Sequence, residues 1–152
     1  MKTDTRDGPQ RHRGTEKIWL CVSVSLWLLI GTVAIGQTVW DGVYTEAQAT
    51  RGEATYNERC SACHGTELEG GDMTPGLTTG MFTSNWNELT VGDLFERIRI
   101  TMPLDNPSSL SRQQVADVVA FLLKANKWPA GESELPRETF ALKEIKILSL
   151  KP

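Results

Sequence analysis

Cys60-Ser61-Ala62-Cys63-His64 is the stretch from which the rest of the chain is read. Two intervening residues place the thiols about one helical turn apart, so both sulfurs can face one edge of a flat partner. Each thiol can add across a vinyl group and become a thioether. His64 follows directly and can offer an imidazole nitrogen to a metal. Cys-x-x-Cys-His with these roles is the attachment pattern of a c-type haem. Other chemistries fit the residues badly. Structural zinc wants four Cys or His ligands, and the chain offers only Cys21, Cys60, Cys63, His12 and His64. Cys21 and His12 fall in a stretch that reads as a targeting segment. A thioredoxin-like pair would want a preceding strand and a βαβ pattern; neither is visible. A plain Cys60–Cys63 disulfide is the remaining alternative.

Toward the N-terminus, Met1 to Lys17 is polar and basic, with Arg6, Arg11, Arg13 and Lys17. An apolar run without charge follows from Ile18 to Ile35, and Ala34-Ile35-Gly36 supplies small residues. This layout predicts a signal peptide over 1–36. The alternative is an uncleaved anchor with its basic side inside. Either way the remainder is expected outside the cytoplasm, in the periplasm of a bacterium. The full chain has 152 residues, 39% hydrophobic and 23% charged, enough for one folded domain behind a leader. Residues 1–36 hold five basic and three acidic side chains, leaving 11 basic and 16 acidic, a net charge of −5. That balance disfavours nucleic acid and favours partners with basic patches.

Residues 37–44 read as a short extended lead-in. A helix is expected from about Thr45 to Cys60, with Gly52 and Tyr56 four apart on one face. An interior glycine costs about 1 kcal/mol against alanine, and close approach of another helix would justify it. Beyond His64, the run Gly65 to Leu77 has the Gly and Pro punctuation of a loop. A metal-bound histidine usually donates its second N–H to a carbonyl or carboxylate, and the Pro75 carbonyl is a candidate acceptor. Leu77, Met81, Phe82 and Trp86 offer apolar and aromatic surface for a haem face.

Thr90-Val91-Gly92-Asp93 predicts a helix start. Leu94, Phe95 and Ile98 continue at helical spacing. Met102 precedes Pro103 and so avoids helical geometry, which makes it project from a chain reversal. A thioether is a soft donor suited to haem iron, and Met102 is preferred over Met73 and Met81 as a second axial ligand. Ser111-Arg112-Gln113-Gln114 is a capping box. It opens a helix with Val115, Val118, Val119, Leu122 and Leu123 on its apolar side, ending before Trp128-Pro129. In the tail, 129–152, Phe140, Leu142, Ile145, Ile147, Leu148 and Leu150 could pack along the domain; the sequence leaves this open.

Taken together, about Ala47 to Trp128 resembles the class I, mono-haem cytochromes c. The resemblance rests on the Cys60 to His64 motif, Pro75-Gly76-Leu77, Thr101-Met102-Pro103 and the closing Ala116 to Leu122 helix. It implies an all-α fold, three to four helices wrapped around one covalent haem c. It also implies His64 as proximal and Met102 as distal iron ligand, with Pro75 as the carbonyl partner of His64. Gly52 and Tyr56 should then pack on Val118 and Phe121. The stretch Asn85 to Phe95 is similar to bacterial cytochromes found with quinoprotein dehydrogenases. The cytochrome domain is accordingly set at 45–128. The function expected is carriage of single electrons between redox proteins, a dehydrogenase or an oxidase, rather than enzymatic turnover. A membrane would be a partner only through a retained N-terminal anchor. The alternative is a haem peroxidase or gas sensor with displaceable Met102. It would want a distal base or acid, and His64 is the only histidine beyond the leader.

Overall fold

The computed structural model describes Met1, residues 36–78 and residues 80–152, so the expected signal segment lies outside the described residues except at its two ends. Capping side chains set the main helix boundaries. Helix α1 runs Glu46–Arg59, and the Thr45 hydroxyl accepts from Gln48 N at 3.1 Å. Its first turn carries Glu46 and its last Arg59, both in the sense that favours the helix dipole. The short helix α2, Ser61–His64, follows directly. Helix α3 is Gly80–Trp86. Helix α4, Val91–Thr101, opens on a full capping box between Thr90 and Asp93. Helix α5, Arg112–Ala125, opens on a second, between Ser111 and Gln114. Each such cap is worth about 1 kcal/mol by satisfying orphan N–H groups. A short α6, Thr139–Leu142, lies in the tail.

The core is the crossing of α1 on α5. Every residue of α5 from Val115 to Leu123 is buried, so this helix is covered on all sides rather than along one stripe. Gly52 makes the crossing close. A Cβ built there would fall on the Asp117 carbonyl and lie 3.0 Å from Phe121 Cβ. The backbone of Asp117 is therefore what Gly52 meets first, and Val118 is buried nearby in the same core. One turn on, the Tyr56 and Phe121 rings tilt together at 5.2 Å between centroids. The buried Asp117 carboxylate is held by Arg51 through two bonds of 3.1 Å and by Gln113 at 2.9 Å. Such bidentate, hydrogen-bonded pairing is what a buried charge requires. Arg51 also reaches Glu134 at 2.8 Å, and these two carboxylates hold its guanidinium charged.

The lead-in and tail pack on this core, within the unit Gly36–Pro152. Only Gln37–Thr38 is extended, as strand β1; a 3-10 turn over Val39–Asp41 follows, and Val39, Val43 and Tyr44 are buried. Strand β1 pairs in parallel with β2, Ile145–Lys146, in the register Gln37 to Ile145 and Thr38 to Lys146. Trp40 and Trp128 donate their indole N–H groups to the same Leu148 carbonyl, at 2.9 and 3.0 Å. Gln48, fully buried on α1, uses both ends of its amide on the Leu135 backbone, at 3.1 and 2.7 Å. Gly131 packs its backbone on Gly42, where the added bulk of a side chain has no room. Of the tail residues named above, Leu142, Ile145 and Ile147 are buried and Leu148 half-buried. Phe140 and Leu150 face solvent.

Two carboxylates tie this architecture to pH. Asp93 is held below its ordinary range by the Thr90 hydroxyl and backbone. Glu96 is held below its own by Arg99 first, then by the Thr139 hydroxyl. A carboxylate whose folded pKa is depressed stabilises the fold above its unfolded pKa, and that contribution is lost as pH falls through the folded value. Glu96→Gln should therefore lower the melting midpoint at neutral pH. It should also flatten its decline between about pH 5 and pH 3. Parallel melting curves for the variant and the unmutated protein across that range would show Glu96 to be uninvolved.

Candidate functional site

The expected attachment residues sit where α1 gives way to α2. Cys60 is the C-cap of α1 and His64 the last residue of α2. The two thiols are unbonded to each other, Cys60 half-buried and Cys63 exposed. Burial pushes the Cys60 thiol up to about 11, so it stays neutral at physiological pH. A thioether at this position would likewise be uncharged and suited to burial.

His64 Nδ1 lies 3.0 Å from the Pro75 carbonyl oxygen. A carbonyl only accepts, so Nδ1 is the donor, and Nε2 is left as the ring nitrogen that can face a metal. Backbone bonds tie the loop between them together. Gly70 N donates to His64 O at 2.8 Å, and Leu77 N to Leu68 O at 2.8 Å. The Tyr56 hydroxyl donates to Gly65 O at 2.6 Å; burial pushes that phenol up to about 12, so the donor proton is retained. Asn126, at the end of α5, donates its side-chain N–H to both Leu77 O and Leu122 O at 2.9 Å. Leu77 is thus pinned at its N–H and at its carbonyl, two residues after Pro75. Nothing local in the sequence announces these roles: spacing marks Tyr56 as a packing aromatic, and a lone Asn after a helix is an ordinary stop signal.

The remaining expected residues divide. Phe82 is buried on α3 and Trp86 half-buried, their rings 6.2 Å apart at 48°. Leu77 packs against the core. Met81, expected alongside them, is 74% exposed, because α3 turns Phe82 inward and Met81 out. Met73 is 96% exposed in the loop. Met102 is the C-cap of α4, half-buried, with φ −122° and ψ 153°; its N–H closes the last turn on Ile98 O at 2.9 Å. Pro103, joined to it by a cis peptide bond, is buried. The structure thus shows two local arrangements: a hydrogen-bonded unit that runs from Cys60 and His64 to Pro75 and Leu77, and, separately, α4 with Met102 as its C-cap.

These donors fit a covalent haem: two sulfurs one helical turn apart, and an imidazole oriented by the Pro75 carbonyl. The helical fold and the Cys60 to His64 geometry define a c-type cytochrome domain, all-α, carrying one covalent haem c with its iron. The family model described as cytochrome c oxidase, cbb3-type, subunit III, matches residues 47–122, half of the chain, and the chain belongs to that family. Among solved structures it is similar to the sulfane dehydrogenase SoxCD from Paracoccus pantotrophus, at 24% identity and a TM-score of 0.47. The alignment covers 67% of this chain and 59% of that one, so this chain spans less than two thirds of the SoxCD chain. Comparison with curated proteins found no match. The domain is an electron-carrying one. Among the described residues no helix is long and apolar enough to cross a membrane.

Proposed function

We propose that this chain is an exported carrier of single electrons, its haem iron held by His64 and Met102. The observation that supports it best is His64 Nδ1 at 3.0 Å from the Pro75 carbonyl, next to Cys60 and Cys63. Cys60 and Cys63 would hold the haem by thioethers, His64 through Nε2 and Met102 through its sulfur. When bound, the haem supplies a one-electron iron couple. Pro75 keeps the His64 proton on Nδ1 and makes Nε2 a better donor. Leu77, Phe82 and Trp86 would line the group and keep water from it. With His64 and Met102 both holding the iron, no position would remain open for a substrate, which would limit the site to outer-sphere transfer.

The partner class proposed is a redox enzyme, an oxidase or a dehydrogenase; the family is named for a subunit of a cytochrome c oxidase. The net charge of −5 beyond residue 36 would steer basic partner surfaces toward the protein. We place the folded part in the periplasm, released by cleavage after Gly36 or held by a retained anchor.

Acid–acetone extraction tests the attachment. The unmutated protein should keep its haem, and the Cys60→Ala, Cys63→Ala double variant should lose it or yield no holoprotein. Haem extracted from the unmutated protein would rule out the thioethers. Carbon monoxide tests the closed site. The reduced protein should resist it at neutral pH; ready binding would transfer the favour to a sensor or peroxidase.

A further inference from the structure

The tail beyond α5 lies outside residues 47–122, the part matched by the family. It nevertheless runs along α4, the helix that ends in Met102, and touches it at three successive levels. At the start of α4, Ile147 N donates to Leu89 O at 2.8 Å and Glu88 N to Ile147 O at 2.9 Å, while Lys146 bridges to Thr90. At Gly92, a Cβ would come within 2.8 Å of Lys143 N and 3.1 Å of Leu142 C. The backbones of α4 and α6 therefore approach as closely as a glycine allows. One turn further, the Thr139 hydroxyl donates to the Glu96 carboxylate, which also holds Arg99 at 2.7 Å and Arg112 of α5 at 3.9 Å. Gly92 and Glu96 lie on one face of α4, four residues apart, and Glu88 and Leu89 precede its cap.

The other side of the tail is fixed as well. Leu142, Ile145 and Ile147 are buried, β2 is paired with β1, and the Leu148 carbonyl takes two indole N–H bonds. The tail is thus anchored on the core and applied along α4. The α1–α5 crossing has contacts of its own, in a glycine, a ring pair and ion pairs.

We propose that residues 139–149 are a positioning brace for the distal sulfur: they fix the placement of α4 and so the point at which Met102 emerges. The proposal rests on Met102 as an iron ligand. Met102 closes the last turn of α4 through its own N–H, so its position follows the helix. Helix α4 is about 16 Å long and stiff, so a shift admitted at Gly92 or Glu96 reaches its C-terminal end. Losing brace contacts raises the population of local openings without unfolding the whole domain.

The test uses the full-length holoprotein with Gly92→Ala, Thr139→Val and, as control, Arg51→Ala. The control breaks the Arg51 pairs with Asp117 and Glu134, neither of which belongs to α4 or to residues 139–149. Two readouts are taken at the same interval below each melting midpoint: the near-infrared band of ferric iron bound to a thioether, and the rate of carbon monoxide uptake by the reduced protein. Gly92→Ala should weaken the band and speed uptake by about tenfold. Thr139→Val should move both in the same direction by less, and Arg51→Ala should leave both at the unmutated values. Thr139→Val keeps the shape of the side chain and decides the matter if Gly92→Ala yields no folded protein. Unchanged readouts in both brace variants, or an equal change in Arg51→Ala, would overturn the brace. Absence of the band from the unmutated protein would instead overturn Met102 as ligand, and the brace with it.

Discussion

Met102→Ala should lower the reduction potential by about 0.2 V, a fraction of the ~0.8 V over which axial ligands set haem potentials. A thioether favours ferrous over ferric iron, so its loss moves the couple toward the oxidised state. The near-infrared thioether band should vanish, and the reduced variant should take up carbon monoxide rapidly where the unmutated protein resists it. Stability should change little by comparison, because Met102 is half-buried at a helix end and its backbone bond to Ile98 survives the substitution. Met73→Ala and Met81→Ala act as internal controls, since both side chains lie mostly in solvent. If Met81→Ala removes the band and Met102→Ala leaves it, the electron-carrier reading stands with a different sulfur.

Gly52→Leu should be the most damaging substitution to the fold. Overpacking a core usually costs about 1–3 kcal/mol, and here the first added carbon already overlaps a backbone carbonyl rather than a mobile side chain. A loss at or above the upper end, about 3 kcal/mol, corresponds to a fall of about 10–20 °C in the melting midpoint of a domain this size. Gly52→Ala separates crossing from propensity. In an exposed helix the change would stabilise by about 1 kcal/mol; at this crossing it should destabilise, with most of the damage that leucine causes. Holoprotein melting curves give the sign. A raised midpoint for the alanine variant would mean that α1 and α5 do not meet at residue 52.

Helix boundaries were legible because their signals are local. Thr90 with Asp93 and Ser111 with Gln114 satisfy N–H groups three residues away, so the pattern is written in adjacent letters. The attachment motif and Gly52 with Tyr56 were legible for a similar reason: each implies its partner by type and spacing. The tail was not. Leu142, Ile145 and Ile147 bury while Phe140 and Leu150 do not, and their apolar character is the same; what separates them is contact with β1 and α4, far away in sequence. Residues 37–44 misled in a related way, since only two of them are extended and the rest turn to bury Val39, Val43 and Tyr44. In the site, Asn126 acts on Leu77 across 49 residues, a relation that no local spacing announces. Met81 and Phe82 are neighbours with equal claims on an apolar surface, and only the orientation of α3 separates them.

The pairing of β1 with β2 also sets an order of assembly. Trp40 reaches the Leu148 carbonyl across 108 residues of sequence. Contacts of such separation form late, after the entropy of closing a long loop has been met by other interactions. The contacts of α1 with α5 at Gly52, Tyr56 and Asp117 lie within residues 46–125, whereas the seam between the lead-in and the tail waits for Ile145 to Leu148. Cys60 and Cys63 stand ahead of that seam in the sequence, so the surroundings of the thiols can form while the tail is still free and the final clasp is open.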